Sequence, residues 1–331
     1  MGLLDKINTI KQSGSKQSRG LLKRGLETLT RDDTPKRRAA ETSQNSLNRL
    51  EGLIPSVDAP YHILPLLCSA LSCERAALVV TDPGSQQLKP CAVYGWSAEV
   101  LQVLSHTWDR LQKLIPHPSS GFYTLLRGEA LDPWRTVLAA GHPDTLRELY
   151  VITIEEGGKI LAVLLLSGVS ESSLASVEEH LVTKTRQSIL GRVELLEQTS
   201  GRPPDSIEKL KHRVRKLDEN RPEGSGTVSM YRLSLEDLRR TMNTDLHVIS
   251  DSFVQSDLVH ILGHVLGRIG TLYEAGGTYV FIPAHGRIET DAVLLSDQIG
   301  ISFERFLSPE APPPRVEEIS SADISVELGL S

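Results

Sequence analysis

The sequence has little of several features that mark well-known protein classes. Its 331 residues include three cysteines, Cys68, Cys73 and Cys91, without a C-x-x-C pair or a zinc-finger spacing. This odd number favours reduced thiols that pack as small core residues. Aromatic residues make up 5% of the chain and the net charge is −6, so neither base stacking nor overall charge favours nucleic acid. We therefore expect no nucleic-acid partner.

Long hydrophobic runs are also missing. The longest apolar stretch, Ile160 to Leu166, has the length of a strand rather than of a membrane span. The first ten residues, MGLLDKINTI, lack the apolar region and small-residue cleavage site of a secretory signal. Lys6 stands where a myristoylation signal needs Ser or Thr. These observations predict a cytoplasmic protein.

Catalytic and metal-binding motifs are likewise scarce. The chain has no G-x-S-x-G, no Walker lysine loop and no G-x-G-x-x-G after a strand. His260 and His264 are four residues apart, but no Glu follows His260 as in H-E-x-x-H, and the neighbouring residues form an apolar packing face. We expect these histidines to flank that face, and we predict no metal site and no cofactor.

Charge is distributed unevenly along the chain. Residues 1–50 carry eleven Lys/Arg against five Asp/Glu, whereas residues 308–331 carry one Arg against five acids. Residues 1–55 are predicted to be a basic arm, partly disordered or amphipathic, which could contact an anionic membrane weakly or a partner. Residues 309–331, which include Pro312-Pro313-Pro314, are predicted to be an acidic disordered tail.

Residues 56–198 alternate between strand and helix patterns. Strands are predicted over Arg75–Thr81, Leu88–Tyr94, Leu149–Ile154 and Lys159–Leu166, and helices over Tyr61–Leu71, Ser97–Ile115 and Ser170–Gln198. This order predicts an antiparallel sheet covered by helices. Six aromatic residues either line a ligand pocket here or form the core, and burial favours the core: Tyr94, Trp96, Trp108, Phe122, Tyr123 and Trp134.

The segment LYVITIEEGGKILAVLLLSGVSESSLASVEEHLVTKTRQSIL, with the elements before it, resembles the end of a GAF domain. In that family a strand pair with a short turn leads into a long signalling helix. The resemblance implies a sensing or dimerisation domain over residues 56–198, with self-association or partner binding through helix 170–198. Bilin-binding members carry a Cys-His pair that this chain lacks, so the resemblance does not extend to that chromophore.

The C-terminal part begins after a helical connector and linker, residues 199–226, that contain Pro203-Pro204 and Pro222-Glu223-Gly224. Residues 227–308 show a β-α-α-β-β-α order with Gly276-Gly277 in a hairpin turn, and LYEAGGTYVFIP stands at that hairpin. This segment resembles a GGDEF (diguanylate cyclase) domain. The resemblance implies a divalent metal site at the first strand and at the hairpin.

The acids that this family needs are replaced. Ser234 and Glu236 stand in the metal-binding D-x-D-x-F-K region, Arg239 replaces its Lys, and Thr278 and Tyr279 replace the two hairpin acids. Without these carboxylates the metal ions would not be held against the triphosphate, so we predict that the domain is not an enzyme. The product-site motif R-x-x-D would fall at Arg268 but lacks its Asp.

The combined expectation is an α+β protein of two domains, each a mainly antiparallel sheet with helices packed on it, joined by a long helix and a short linker. Its predicted function is non-catalytic signalling. The alternatives are a module that binds GTP or a cyclic dinucleotide without turnover, and a membrane-peripheral scaffold. Gly276, Gly277 and Arg268 are the candidate ligand-binding residues, although the glycines could simply form a tight turn. Asp237 and Asp257 are interpreted as caps or surface charges.

Overall fold

The computed structural model describes residues 42–82, 85–115, 122–139, 146–199, 202–219, 229–244, 246–275, 277–284, 291–307 and 312–328. Two antiparallel sheets carry the fold, and helices cover both faces of each sheet. The predicted α+β class is confirmed. Most of the basic arm, residues 1–41, lies outside the described residues, and the described chain begins with a helix, α1, over residues 42–51.

The first sheet, sheet A, has six strands in the order β3-β4-β5-β1-β2-β7. Their bounds are β1 Arg75–Thr81, β2 Leu88–Tyr94, β3 Tyr123–Leu126, β4 Leu149–Glu156, β5 Lys159–Ser167 and β7 His247–Ile249. The β4–β5 turn contains Gly157 and Gly158, whose φ angles of 57° and 77° explain the two glycines. The four strands predicted in this region are therefore present.

Four helices cover sheet A. Helices α2 (Ala59–Leu71) and α5 (Glu171–Gln198) pack on one face, and α3 (Ala98–Leu111) and α4 (Asp132–Leu138) pack on the other. Short 3₁₀ turns at Gln112–Leu114 and Gly128–Leu131 complete this second layer. The long helix begins one residue after its predicted start, because Ser170 is its N-cap: the Ser173 amide donates to the Ser170 hydroxyl at 3.2 Å.

The second sheet, sheet B, has four strands in the order β10-β6-β9-β8. They are β6 Ser229–Ser234, β8 Gly270–Ala275, β9 Thr278–Pro283 and β10 Arg315–Ser320. Helix α8 (Asp251–Leu266) separates β6 from β8, and α9 (Ala292–Phe306) separates β9 from β10. Sheet B is thus a split β-α-β-β-α-β arrangement. The remaining helices are α6 Ile207–Glu219, α7 Glu236–Met242 and α10 Ser321–Glu327.

The two sheets share one hydrophobic core, which we call the shared core (Leu64, Leu164, Ile189, Leu258, Phe281 and their apolar neighbours). It is built from α2 and α5 on one side and from α8, α9 and the facing side of sheet B on the other. Strand β7 lies beyond the predicted boundary at residue 227, yet it pairs with β2 and completes sheet A. A strand that follows the predicted domain boundary in the sequence therefore belongs to the sheet of the preceding domain.

The prediction of a disordered acidic tail is wrong for residues 312–328. Strand β10 pairs with β6 along its whole length, from Arg315 opposite Ser234 to Ser320 opposite Ser229. Helix α10 follows, and a capping box between Ser320 and Asp323 caps its N-terminus. The low hydrophobicity of this segment misled the prediction because an edge strand needs to bury little of its own surface: Ile319 and Ile324 supply the contact.

Among the described residues, no helix is both long enough and apolar enough to cross a membrane.

Candidate functional site

The predicted ligand-binding residues do not converge. Arg268 is exposed in the turn after α8, just before β8 begins, and Gly277 is exposed just after β8 ends. The six residues of β8 separate them by about 20 Å. Gly277 has φ 89° with open space around its Cα, so the turn conformation explains the glycine. Gly276 lies outside the described residues.

Thr278 and Tyr279, which the sequence resemblance placed at a metal-binding hairpin, contribute to the packing and the turn of the fold. Tyr279 is fully buried in the shared core, and its hydroxyl accepts a hydrogen bond from Gln255 Nε2 at 2.8 Å. Thr278 donates to the Ala275 carbonyl. Glu236 is exposed and pairs with Arg240. No group of three or more potential metal ligands occurs within the parts of the chain that the structure describes.

His260 and His264 contact other elements rather than each other. His260 Nε2 lies 3.2 Å from the Leu196 carbonyl of α5, and the His264 ring packs edge-on against Phe306 of α9. Both histidines therefore sit on the flanks of the helix packing, which agrees with the sequence interpretation.

A buried polar group lies at the contact between α2, α5 and α8. We call it the junction cluster: Tyr61, Arg192, Phe253 and Asp257. Arg192 donates from Nε to one Asp257 oxygen at 2.9 Å and from Nη2 to the other at 2.6 Å. The Tyr61 hydroxyl donates to the same carboxylate. The Arg192 guanidinium also lies 4.8 Å from the Phe253 ring centroid. These bonds join α5, which packs on sheet A, to α8, which packs against sheet B.

Burial and charge act together in the junction cluster. Burial raises the pKa of Tyr61 well above its ordinary value, so the phenol keeps its proton and donates. Burial also raises the pKa of Asp257, while Arg192 and Tyr61 act in the opposite direction. Burial lowers the pKa of Arg192, but the charge and hydrogen bonds of Asp257 together with Tyr61 and Cys91 outweigh it and leave that pKa raised. The bidentate contact indicates a charged pair.

One atom of the junction cluster has no visible partner. Arg192 Nη1 is buried and lacks a hydrogen-bond acceptor among the described residues. A second buried polar atom without a described partner, Nε2 of His247, belongs to β7. Burial lowers the pKa of His247 to about 4, with a further contribution from His62. The inner side of sheet A therefore holds polar groups whose protonation and pairing depend on the packing around them.

The opposite face of sheet A holds all three tryptophans of the chain. Trp96, Trp108 and Trp134 lie in what we call the outer core (Leu104, Val163 and their apolar neighbours between sheet A, α3 and α4). They are between 0% and 6% exposed, and Trp108 and Trp134 meet edge to face at 6.4 Å. None of the three indole N–H groups has an acceptor among the described residues. The prediction that these aromatic residues form the core is confirmed for the three tryptophans.

The other three aromatic residues of the predicted pocket lie elsewhere. Tyr94, Phe122 and Tyr123 pack against the shared core, and Tyr123 contacts Tyr150 at 5.4 Å. The six aromatics therefore do not line one cavity. Trp108 and Trp134 belong to helices on one face of sheet A, whereas Tyr94 and Tyr123 belong to strands and pack on the other face.

A surface groove of about 480 Å³ lies between residues 50–59 and α5. Leu50, Ile54, Lys184, Ser188 and Gly191 are among its lining residues. Among the lining residues, Pro55 comes so close to Gly191 that a Cβ on Gly191 would be 2.9 Å from the proline side chain. The groove contains none of the predicted ligand-binding residues.

The junction cluster was not among the predicted sites, although the sequence contains a signal for it. Arg192 lies at helical spacing from Ile189 and Leu196, which are apolar, and Asp257 interrupts an otherwise apolar helix face. A basic residue and an acidic residue on two separate apolar faces are typical of a buried ion pair. Asp257 is thus neither a cap nor a surface charge: it is 3% exposed and paired.

No family model and no curated protein matches the chain. Solved structures similar to part of it include the GAF domain of a phosphoenolpyruvate-protein phosphotransferase from Coxiella burnetii. It is 15% identical, with 47% of this chain and 97% of that chain covered and a TM-score of 0.32. A GAF domain/HD domain protein from Geobacter sulfurreducens is 13% identical, with coverages of 44% and 98% and a TM-score of 0.31.

SdiA in complex with octanoyl-rac-glycerol is a third similar structure, at 15% identity. Its alignment covers 54% of this chain and 77% of that chain, with a TM-score of 0.35. Identities of 13–15% and TM-scores below 0.5 do not assign the chain to a family.

Proposed function

We propose that this chain is a non-catalytic signalling protein. In this proposal sheet A and its helices form a GAF-like sensing unit, and sheet B forms an inactive diguanylate cyclase-like unit that acts through protein interaction. The observation that carries the proposal is the bidentate Arg192–Asp257 pair, because it joins the long helix α5 to α8 inside the protein. A change at α5 would therefore reach sheet B directly.

The surroundings of the pair support this coupling. His260 of α8 meets the Leu196 carbonyl near the end of α5. Strand β7, which leads into α8, is hydrogen-bonded to β2, and the Ser250 amide donates to the Cys91 carbonyl at 2.8 Å. Three separate contacts thus link the elements of sheet A to the start and the middle of α8, so that α8 cannot shift without altering sheet A.

The lack of catalysis is proposed from chemistry at the hairpin. A buried tyrosine and a threonine that bonds its own turn take the place of two carboxylates, and neither residue can hold a divalent cation against phosphate. Incubation of the full chain with GTP and Mg²⁺ or Mn²⁺ tests this directly. We expect no cyclic dinucleotide in an assay where an authentic cyclase gives product. Detection of product from this chain would overturn the proposal.

Coupling is tested by hydrogen exchange on full-length variants. Arg192→Lys keeps the charge but removes the bidentate geometry, and we expect faster amide exchange in both α5 and α8. Arg186→Lys is the matched control, because Arg186 lies on the same helix in a partly exposed pair with Glu156. If exchange in α8 were unchanged in Arg192→Lys, the helix would not act as the proposed link.

A further inference from the structure

We propose that Cys68 and Cys73 are a modification site that forms a reversible intramolecular disulfide when the chain meets a peroxide. The inference rests on the end of helix α2 and does not depend on the proposed signalling function. Both residues are in the reduced form in the structure.

The backbone at the end of α2 brings the two residues together. Ser72 adopts the left-handed conformation with φ 52°. The Cys73 amide donates to the Cys68 carbonyl at 2.9 Å and the Ser72 amide to the Ser69 carbonyl. This pair of bonds is the Schellman motif, in which the side chains at the Cys68 and Cys73 positions commonly touch. A disulfide needs its two Cα atoms about 4.4–6.8 Å apart. The hydrogen bond from the Cys73 amide to the Cys68 carbonyl holds these two residues side by side in space.

Both thiols lie buried at this turn, Cys68 at 1% and Cys73 at 6% exposure. The interaction with Cys68 lowers the pKa of Cys73, whereas burial raises the pKa of Cys68. Burial of Cys73 and the nearby Glu74 act in the opposite direction on the pKa of Cys73. Cys73 is therefore the nucleophile of the pair and Cys68 the resolving thiol. Exposed Ser72 and Glu74 flank Cys73, so a molecule as small as hydrogen peroxide has a short path to it.

The reaction balances with hydrogen peroxide as the oxidant. The Cys73 thiolate attacks one peroxide oxygen, the O–O bond breaks, and the leaving hydroxide takes up a proton to form water. The Cys73 sulfenic acid is then attacked by Cys68 sulfur, the S–O bond breaks, and a second water leaves with the Cys68 proton. Two thiols are oxidised by two electrons in total, and one peroxide is reduced to two waters.

The same sulfur contacts the segment that leads into α5. Cys73 Sγ donates towards the carbonyls of Arg75 at 3.0 Å and Ser167 at 3.2 Å. A disulfide removes this donor at the last residue of β5. Gly168, at φ 73°, packs against Glu74 so closely that a Cβ would lie 2.7 Å from its side chain. Oxidation therefore alters the contact that holds the β5–α5 turn.

Thiol mapping on the full-length wild-type chain tests the proposal without any substitution. Cleavage after Arg49 and Arg75 places Cys68 and Cys73 in one tryptic peptide and Cys91 in another. After peroxide treatment we expect two of the three thiols to resist alkylation, with the first peptide lighter by two hydrogen atoms. Dithiothreitol should restore both thiols, and the rate should not change with protein concentration.

Variants separate the steps. In Cys68→Ser we expect Cys73 to stop as a sulfenic acid that a dimedone probe labels, whereas Cys91→Ser should form the disulfide at the wild-type rate. Cys91 is the matched control because it is fully buried on β2. Oxidation that stops at sulfinic acid in wild type, a disulfide between two chains, or two unchanged thiols would each overturn the proposal.

Discussion

The two faces of sheet A are built by different means. The outer core is apolar apart from three indole N–H groups, and it is closed by α3 and α4 of the same stretch of chain. The inner side, by contrast, contains a buried ion pair, a buried phenol and a buried histidine, and it is closed partly by α8 from residues beyond 250. Apolar contacts are sufficient where neighbouring elements pack. Directional bonds occur where distant elements must meet in one arrangement, which we offer as the reason for the buried pair.

The strongest test of this contrast is removal of one partner of the buried pair. Asp257→Leu leaves Arg192 charged and unpaired in the core, and we expect a loss of about 3–5 kcal/mol in the free energy of unfolding. Arg192→Met with Asp257→Leu should recover most of that loss, because no charge then remains buried. Urea unfolding of the full chain measures both variants.

The matched surface control for that test is Arg240→Met. Arg240 pairs with Glu236 on α7 where both side chains are more than half exposed, so we expect a change within about 0.5 kcal/mol. A similar cost for the surface and buried pairs would remove the distinction between the two faces.

Acid should weaken the inner side through His247. Its folded pKa of about 4 lies below the ordinary 6.5, so the unfolded chain binds more protons between these values and stability falls as pH falls from 6.5 to 4. The loss attributable to this residue is at most about 3 kcal/mol. We expect the free energy of unfolding of His247→Gln to differ less between pH 7 and pH 4.5 than that of the wild type. An equal slope in variant and wild type would mean that His247 is not buried as a neutral ring.

The outer core should tolerate loss of a polar atom. Trp134→Phe leaves a small void but removes a buried N–H that has no described acceptor, and we expect a loss of about 1–2 kcal/mol. Because all three tryptophans lie in the outer core, their fluorescence follows that layer alone. A loss as large as that of Asp257→Leu would show that this indole N–H makes an essential bond.

The smallest expected effect concerns the C-terminal helix. Ser320→Ala breaks the capping box of α10, and we expect a loss of about 1 kcal/mol together with faster amide exchange in α10. Ser325→Ala, whose hydroxyl reaches Asp218 on the surface of α6, is the matched serine control. Unchanged exchange in Ser320→Ala would contradict a cap that holds the helix.

Much of the secondary structure followed from local patterns. The glycine pair of the β4–β5 hairpin and the helical pattern of α5 led to correct bounds within one or two residues, because turn residues and helical periodicity are local features. The short strand β7 was not predicted, because three residues are too few to form a recognisable pattern and their position depends on pairing with β2. Strand β10 escaped it because its pairing partner, β6, lies about eighty residues earlier.

The candidate site was less predictable than the fold. Arg268 and Gly277 lie nine residues apart in the sequence and were both predicted to bind a ligand, but they lie at opposite ends of β8. Arg192 and Asp257 are 65 residues apart and meet through two hydrogen bonds. Motif spacing is informative where a ligand site is formed by one turn, whereas a pair between two helices depends on how those helices pack.

The sequence by itself determined the α+β class and the long helix α5, because these depend on the order and periodicity of local patterns. Only the tertiary structure decided that β7 completes sheet A, that the acidic tail forms an edge strand, and that Asp257 is a buried ion-pair partner. The physical reason is that long-range pairing is set by the packing of whole faces. No local pattern specifies which distant face will bury a given charge.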